Sequence, residues 1–396
     1  MTASQSTRKA ANSTAPSTAE PREGRTSAPR GRGRGRRVTI ADIAERAGVT
    51  AAAVSLAVNG RPGVSDATRA RIVEIARELN WMPSHAARAL AGAPVLTIGM
   101  VLARPADVLG SEAFFGGFIA GLQEVLSARD YSLQMKIVEN TDAEIETYRR
   151  WFGQRRVDGV ILLDLRVDDP RVPVLEQLGQ PALVVGGPGH HGTLPAVYAD
   201  DAFVTSLLVE HLAKAGHRRI ARLAGAGEYL HTATRDATFA ALCAEHGIDP
   251  ILHEAGFTAY GAATATAELL RTGDAPTAII YDSDEMALGG ARVIAQQGLR
   301  IPQDIAIASY EDSAMMRSHR PRITAVSRSA VEYGRLAARR MLQIITDRST
   351  EATAQTHGEE HQTADDGLVP TLEVRGSTDP TADDEINARL AGLASS

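Results

Sequence analysis

From Pro94 onward the chain alternates short apolar runs with amphipathic stretches, and nothing else in the sequence restricts the fold as much. TIGMVLA (97–103), YSLQMKIVE (131–139), VDGVILLDL (157–165), PALVVGG (181–187), RRIARLAG (218–225), TAIIYDS (277–283) and DIAIASYED (304–312) read as strands. Helical spacing recurs between them, in FFGGFIAGLQEVLSARD (114–130) and near 142–153, 201–215, 232–246, 259–271 and 284–297. Strand and helix in succession imply parallel sheets covered on both faces. More than 250 residues are too many for one ordinary sheet, so two α/β subdomains are expected. A polar, acidic stretch at 349–367 reads as an insertion before the strand-like TLEVRGS (371–377), and 379–396 reads as a flexible tail.

The front of the chain has a different texture. Residues 1–37 are rich in Ser, Thr, Ala, Pro and Gly and end in GRGRGRR, with almost no large apolar side chain to offset the entropy of ordering, so they read as a disordered basic arm. At Val38 helical signals begin. Thr39 can cap a helix with Asp42 at its third position, Ile40, Ile43 and Ala44 share a face, and Gly48 can end it. Thr50 is the next cap, opening a short helix through Val58 that stops at Asn59–Gly60. Ser65 caps a longer helix in which Ile72, Ile75, Ala76 and Leu79 recur at helical spacing. A two-turn helix, a tight turn and a second short helix make a helix-turn-helix over 38–83, and 84–94 follows as a weak helix with little to pack on.

Charge is distributed to match. The net charge of −6 divides into +7 over residues 1–37, +1 over 38–92 and −14 over the remainder, a distribution that suits binding a polyanion with one end only. Arginine outnumbers lysine 39 to 3, so its abundance by itself says little about function. Cys243 is the single cysteine, which excludes an intramolecular disulfide and a multi-thiolate metal centre. No apolar run reaches the ~18 residues of a membrane span and no secretory leader is visible, so a cytoplasmic protein that contacts no membrane is expected. Two tempting motifs lack their contexts. GPGHHG (187–192) fits a dinucleotide fingerprint but opens no helix, and HGEEH (357–361) lies in the acidic insertion rather than on a buried helix. No cofactor, metal or catalytic residue is expected.

The stretch VTIADIAERAGVTAAAVSLAVNGRPGVSDATRARIVEIARELNWMPSHAARALAG (38–92) resembles, without gaps, the headpiece and hinge of the lactose/galactose repressor (LacI/GalR) family of bacterial transcription regulators. The likeness continues through VDGVILL (157–163), EHLAKAGHRRIARLAG (210–225), TAIIYDSDEMALGG (277–290), GLRIPQDIAIASYEDS (298–313), PRITAV (321–326) and PTLEVRGST (370–378). It implies a DNA-binding headpiece, a hinge helix and a periplasmic-binding-protein-like effector domain of two Rossmann-like lobes within residues 95–378. The N-lobe would take about 95–198 and 327–348, and the C-lobe about 199–326 and 368–378.

The resemblance also assigns residues. Ala51, Ala52, Ser55 and Leu56 would face the major groove, with Thr50 and Asn59 near phosphates and Thr39 as a further DNA-binding residue. Alanine and leucine make no hydrogen bonds to base edges, so they can only meet thymine methyls or exclude mismatched shapes, which shifts specificity towards DNA shape and the hinge. There, Leu90 matches a leucine wedged into a minor-groove step, with His85 and Arg88 as accompanying contacts. For the effector, Phe114 and Phe115 would cover a ring, Arg235 would donate to the ligand and Asp284 would accept from its hydroxyls, with Asp200, Tyr229 and Phe257 as weaker candidates. Core packing is the alternative for the two phenylalanines, and a structural ion pair is the alternative for Arg235 and Asp284. The function implied is a homodimeric repressor whose grip on operator DNA is switched by a sugar or related metabolite. The rival is a stand-alone small-molecule-binding protein of the same fold. Ile386, Leu390 and Leu393 are too few to predict a coiled-coil tetramer.

Overall fold

The computed structural model describes residues 38–58, 60–81, 94–105, 109–110, 112–351 and 369–384. The arm 1–37, Asn59, the hinge residues His85, Arg88 and Leu90, the insertion from 352 to 367, and Ile386, Leu390 and Leu393 lie outside the described residues. The chain forms two compact units that part between Pro83 and Ser84.

The first unit is built on three helices, α1 (Ile40–Ala47), α2 (Ala51–Val58) and α3 (Asp66–Glu78). Thr39 and Asp42 form a reciprocal capping box that fixes the start of α1. Gly48, at φ 64°, takes the left-handed conformation that lets the chain turn straight into α2, where the Thr50 hydroxyl accepts from the Ala53 amide at 3.2 Å. The core holds Ile43, Val54 and Ile72 with Ala44, Ala47, Ala57 and Ala76, whose small side chains let the helices approach closely. Arg69 donates to the carbonyls of Ala57 and Arg61, satisfying the end of α2. With so few large side chains, each one carries much of the unit's stability.

The second unit holds two sheets. The first is all parallel in the order β2-β1-β3-β4-β5, from β1 (Thr97–Leu102), β2 (Ser132–Ile137), β3 (Gly159–Leu162), β4 (Ala182–Val185) and β5 (Ala196–Val197). The second runs β11-β10-β9-β8-β6-β7, from β6 (Arg219–Ala224), β7 (Asp249–Glu254), β8 (Ala278–Tyr281), β9 (Ala306–Ser309), β10 (Thr324–Ser327) and β11 (Thr371–Glu373). Alternate strand residues feed separate cores on the two faces: Ile98, Met100 and Leu102 join one cluster, whereas Val101, Val160 and Leu162 join another. The covering helices are α4 (Ala113–Ser127), α5 (Thr141–Gly153), α6 (Arg171–Leu178), α7 (Asp201–Lys214), α8 (Leu230–Glu245), α9 (Ala259–Arg271), α10 (Asp284–Gln296), α11 (Ala314–Ser318) and α12 (Ala330–Glu351).

The chain passes between lobes and back. α7 packs on the second sheet, and α12 returns from β10 to pack Tyr333, Ala337 and Met341 into the first core. α12 lies against α4 with backbones nearly touching, because a Cβ on Gly121 would meet the Val331 carbonyl and one on Gly334 would meet that of Phe118.

Three sequence expectations need correction. The sheets are not wholly parallel, since β11 pairs antiparallel with β10. β7, an edge strand with exposed Leu252, escapes the apolar pattern because one face is open to water. The tail does not begin at 379: Pro380–Asp383 forms a 3-10 turn whose buried Asp383 accepts from the Arg322 and Gly376 amides and pairs with the Arg322 guanidinium. Ile72→Ala, which empties part of a core that cannot collapse further, should cost the first unit about 3 kcal/mol and abolish its helical transition, while the main thermal transition of the second unit is unchanged in calorimetry.

Candidate functional site

Both sheets share one strand order, with the first strand of each lobe flanked by the second and the third. The chain therefore diverges to opposite sides between β1 and β3 and again between β6 and β8, opening a crevice at their carboxyl ends. Arg104 follows β1 and Asp164 follows β3, and they meet across the first crevice at 2.6 Å. Gly225 follows β6 and Asp282 follows β8, and the Gly225 amide donates to Asp282 at 2.7 Å across the second. Both crevices open on one cavity of about 120 Å³. Its wall includes residues that follow β1, β3, β4, β5, β8, β9 and β10, the start of α8, and the aromatic rings of Phe114, Phe115, Tyr198, Phe257 and Tyr333.

The polar part of the wall is a chain of ion pairs. Arg104 is held by Asp164 and, at 2.9 Å, by Glu112, and its guanidinium lies 5.3, 4.8 and 5.0 Å from the ring centres of Phe115, Tyr229 and Phe257. Arg235 bonds Asp201 at 2.7 Å, approaches Asp282 at 3.4 Å and lies 4.4 Å from the Tyr310 ring centre. Asp282 is shared with Arg222, which also pairs with Asp236. Arg328 pairs with Glu311 and lies 3.5 Å from Asp201, while its Nε is buried without a partner. Asp284, at the first position of α10, accepts only from the Glu285 amide among the described residues and makes no ion pair.

Burial sets the protonation of the wall. Asp201 and Asp282 lose solvation, yet Arg235 and Arg328 beside one and Arg222 and Arg235 beside the other hold both carboxyls below their usual range. Glu112 goes the other way: burial, against the pull of Arg104 and with the neighbouring carboxylates of Asp164 and Glu311, pushes it up to about 7. His231 lines the cavity stacked on Tyr229, and burial together with Arg235 pushes it down to about 4, so its imidazole is neutral at neutral pH.

The structure brings Phe114, Phe115, Arg235, Phe257 and Asp284 to this cavity as the sequence led one to expect. Phe115 is also a core residue and Arg235 an internal ion-pair partner, so the core-packing and ion-pair alternatives describe both residues as well as their place on the wall. Asp200 is a correction: its exposed side chain caps α7 by accepting from the Phe203 amide, and the residue at the cavity is Asp201. Tyr229 is buried behind the wall, against His231 and Phe257 and beneath Arg104. Arg104, Glu112, Asp164, Asp201, His231, Asp282, Glu311 and Arg328 escaped the sequence reading. Most of them stand just past the end of a strand, and that position is the one signal that could have found them. Gly225 lies under Phe257, where a Cβ would fall 2.0 Å from the ring.

In the first unit Ala51, Ala52 and Thr50 are exposed at the start of α2, and Thr39 is exposed at the start of α1. Ser55 is half-buried, as is Leu56, which leans towards the turn at Gly63. The amino-terminal end of α2 thus presents two methyl groups to whatever it meets.

A helix-turn-helix on the same chain as a two-lobed α/β body with one cavity at the facing strand ends defines a ligand-responsive, DNA-binding regulator. Residues 39–84 match the bacterial regulatory proteins of the lacI family, and residues 209–378 match the periplasmic binding protein-like domain. The chain is 31% identical over 323 residues to the HTH-type transcriptional regulator CelR of Thermobifida fusca, covering 80% of this chain and 95% of that protein. The lac repressor dimer bound to operator and the anti-inducer ONPF superposes with a TM-score of 0.71 at 27% identity, covering 87% of this chain and 99% of that one. A CelR–cellobiose complex gives 0.62 at 27% identity, covering 86% and 100%. The chain belongs to the lacI family, whose members are DNA-binding transcription regulators and not enzymes. Among the described residues no helix is long and apolar enough to cross a membrane.

Glu112 and His231 impose opposite pH dependences. Glu112 keeps its proton up to about pH 7 in the folded chain but only to 4.5 when unfolded, so its contribution to stability is full below 4.5 and is lost as pH rises to 7. His231 stays neutral down to about pH 4 when folded and to 6.5 when unfolded, so its contribution is full above 6.5 and is lost as pH falls to 4. Urea titrations from pH 4.5 to 7.5 should therefore show Glu112→Gln gaining on the parent chain as pH rises, by on the order of 2 kcal/mol. His231→Gln should gain on it as pH falls.

Proposed function

We propose that this protein is a homodimeric repressor whose hold on a palindromic operator is switched by a polyhydroxylated small molecule bound at the Arg235–Asp284 cavity. The observation that carries the reading is the wall itself, in which aromatic rings and carboxylate acceptors face one shared space at both strand-order reversals. Rings cover the apolar face of a sugar while Asp284, lacking a cation, accepts from its hydroxyls. CelR in complex with cellobiose, a relative covered over its whole length, supports a sugar as the class of effector.

On DNA, Ala51 and Ala52 at the exposed start of α2 meet thymine methyls and read groove shape, with Ser55 and Leu56 behind them and Thr39, Thr50 and Asn59 at phosphates. Leu90, in the hinge 84–94, wedges into the minor groove, with His85 and Arg88 at the groove or its phosphates. Two headpieces read half-sites about one helical turn apart, which requires a dimer. Its contacts come from the second unit, where the edge strands β2 and β7 leave Met135, Ile137 and Leu252 exposed. Effector binding changes the lobe arrangement and is transmitted through the hinge, and it can do so only by preferring one arrangement.

In mobility-shift titrations Asp284→Asn should hold operator as tightly as the parent chain and lose the response to effector. Leu90→Ser should weaken operator binding at least 10-fold yet keep effector affinity, the loss expected when a wedge and its minor-groove contacts go. Full operator affinity in Leu90→Ser, or a normal effector response in Asp284→Asn, defeats the reading. The nine basic residues of 1–37 add counterion release against the repulsion of the acidic body. Deleting them should flatten the dependence of affinity on salt and leave operator preference intact, as competition with non-specific duplex will show.

A further inference from the structure

The effector cavity is unbalanced in charge, and the imbalance selects its occupant. Among the described residues its wall carries six carboxyl groups, Glu112, which burial keeps protonated up to about pH 7, and Asp164, Asp201, Asp282, Asp284 and Glu311, against the guanidinium groups of Arg104, Arg235 and Arg328, so the acidic groups outnumber the basic ones even without Glu112. Each guanidinium already has a carboxylate partner, Arg104 in Asp164, Arg235 in Asp201 and Asp282, and Arg328 in Glu311 with Asp201 at 3.5 Å. Arg328 keeps one unpartnered N–H, at Nε, which can donate to a hydroxyl, but its charge is spent on Glu311. Asp284 stands without a cation, buried at 6% exposure.

We infer that the cavity takes a sugar that is uncharged or carries an amine, and shuts out acidic sugars such as uronates and sugar phosphates. The inference rests on the reading of the cavity as the effector site and adds its charge class. An anionic group entering the cavity finds no uncommitted cation and faces a buried, unpaired carboxylate, an arrangement that disfavours the wrong partner by repulsion. An ammonium finds Asp284 as acceptor and aromatic faces within reach, and a hydroxyl finds the same acceptor. His231 does not restore the balance, because burial and Arg235 keep its ring neutral at the pH of the cell.

Calorimetric titration of the full chain with matched trios tests this: glucose, glucosamine and glucuronate, the corresponding galactose and mannose sets, and a β-1,4-linked disaccharide of each charge class. Whichever skeleton binds, its neutral or amine member should bind about 100-fold more tightly than its acid, the scale of a desolvated like-charge contact. Glu311→Gln should release the charge of Arg328 and raise the affinity of the acid member about 10-fold relative to the neutral one, a gain that a loss of folding cannot imitate. An acid that binds as tightly as its neutral counterpart, or a Glu311→Gln chain with the parent's selectivity, overturns the inference while leaving the effector site in place. Silence from every trio, with operator binding intact and unresponsive, removes the effector reading and the inference with it.

Discussion

The second unit depends on burying arginines between carboxylates at the ends of its strands. Arg222 and Asp282 are both fully enclosed, and a charge taken so far from water is tolerable only when a counter-charge and hydrogen bonds replace the solvent. Asp282 shows how tightly this is done, since it accepts from Arg222, Arg235 and the Gly225 amide, joining β6, β8 and α8 at one side chain. Arg235 then passes the constraint to Asp201 at the start of α7, and Asp201 to Arg328 at the foot of α12, where the chain crosses between lobes. The wall of the cavity and the crossovers of the fold are one continuous set of contacts.

A second buried pair supports the first lobe in the same manner. Arg171 pairs with Glu144 and Asp169 and donates to the Asp164 carbonyl at 2.7 Å, and Asp164 itself sits in the left-handed region at φ 54°. A non-glycine residue held there needs its surroundings to fix it. Asp164 is therefore aimed at Arg104 by its neighbours rather than by its own backbone preference, and α5 and α6 bear on the cavity without touching it.

Much of this was legible in the sequence because periodicity reports burial. Strands β1, β3, β4, β6, β8 and β9 are covered on both faces or nearly so, and they stand out as apolar runs. β7 does not, because alternate residues face water. In the first unit the caps at Thr39, Thr50 and Ser65 are written in residue types, and the helices begin where those caps say. The cavity was harder to read. Arg104 with Glu112, Asp164 and Glu311 are ordinary charged residues at three places far apart in the chain, and only the strand order brings the three places together. Asp200 and Asp201 show the limit most sharply: two adjacent aspartates at a helix start are equivalent in pattern, and the backbone turn alone gives one to the cap and the other to the cavity.

Gly225 lies beneath Phe257, with no room between them for even one methyl group. Phe257 is a wall of the cavity and Gly225 is not, so the ring's position is set from below by a residue that meets no ligand. In evolutionary terms the size of the cavity is tied to its chemistry. One substitution at 225 would push the ring outward and narrow the space, and because that ring lies against the Arg104 guanidinium and the Gly225 amide holds Asp282, the charged wall would have to adjust with it. Relatives that diverge in the size of what they sense would have to change both together at this point.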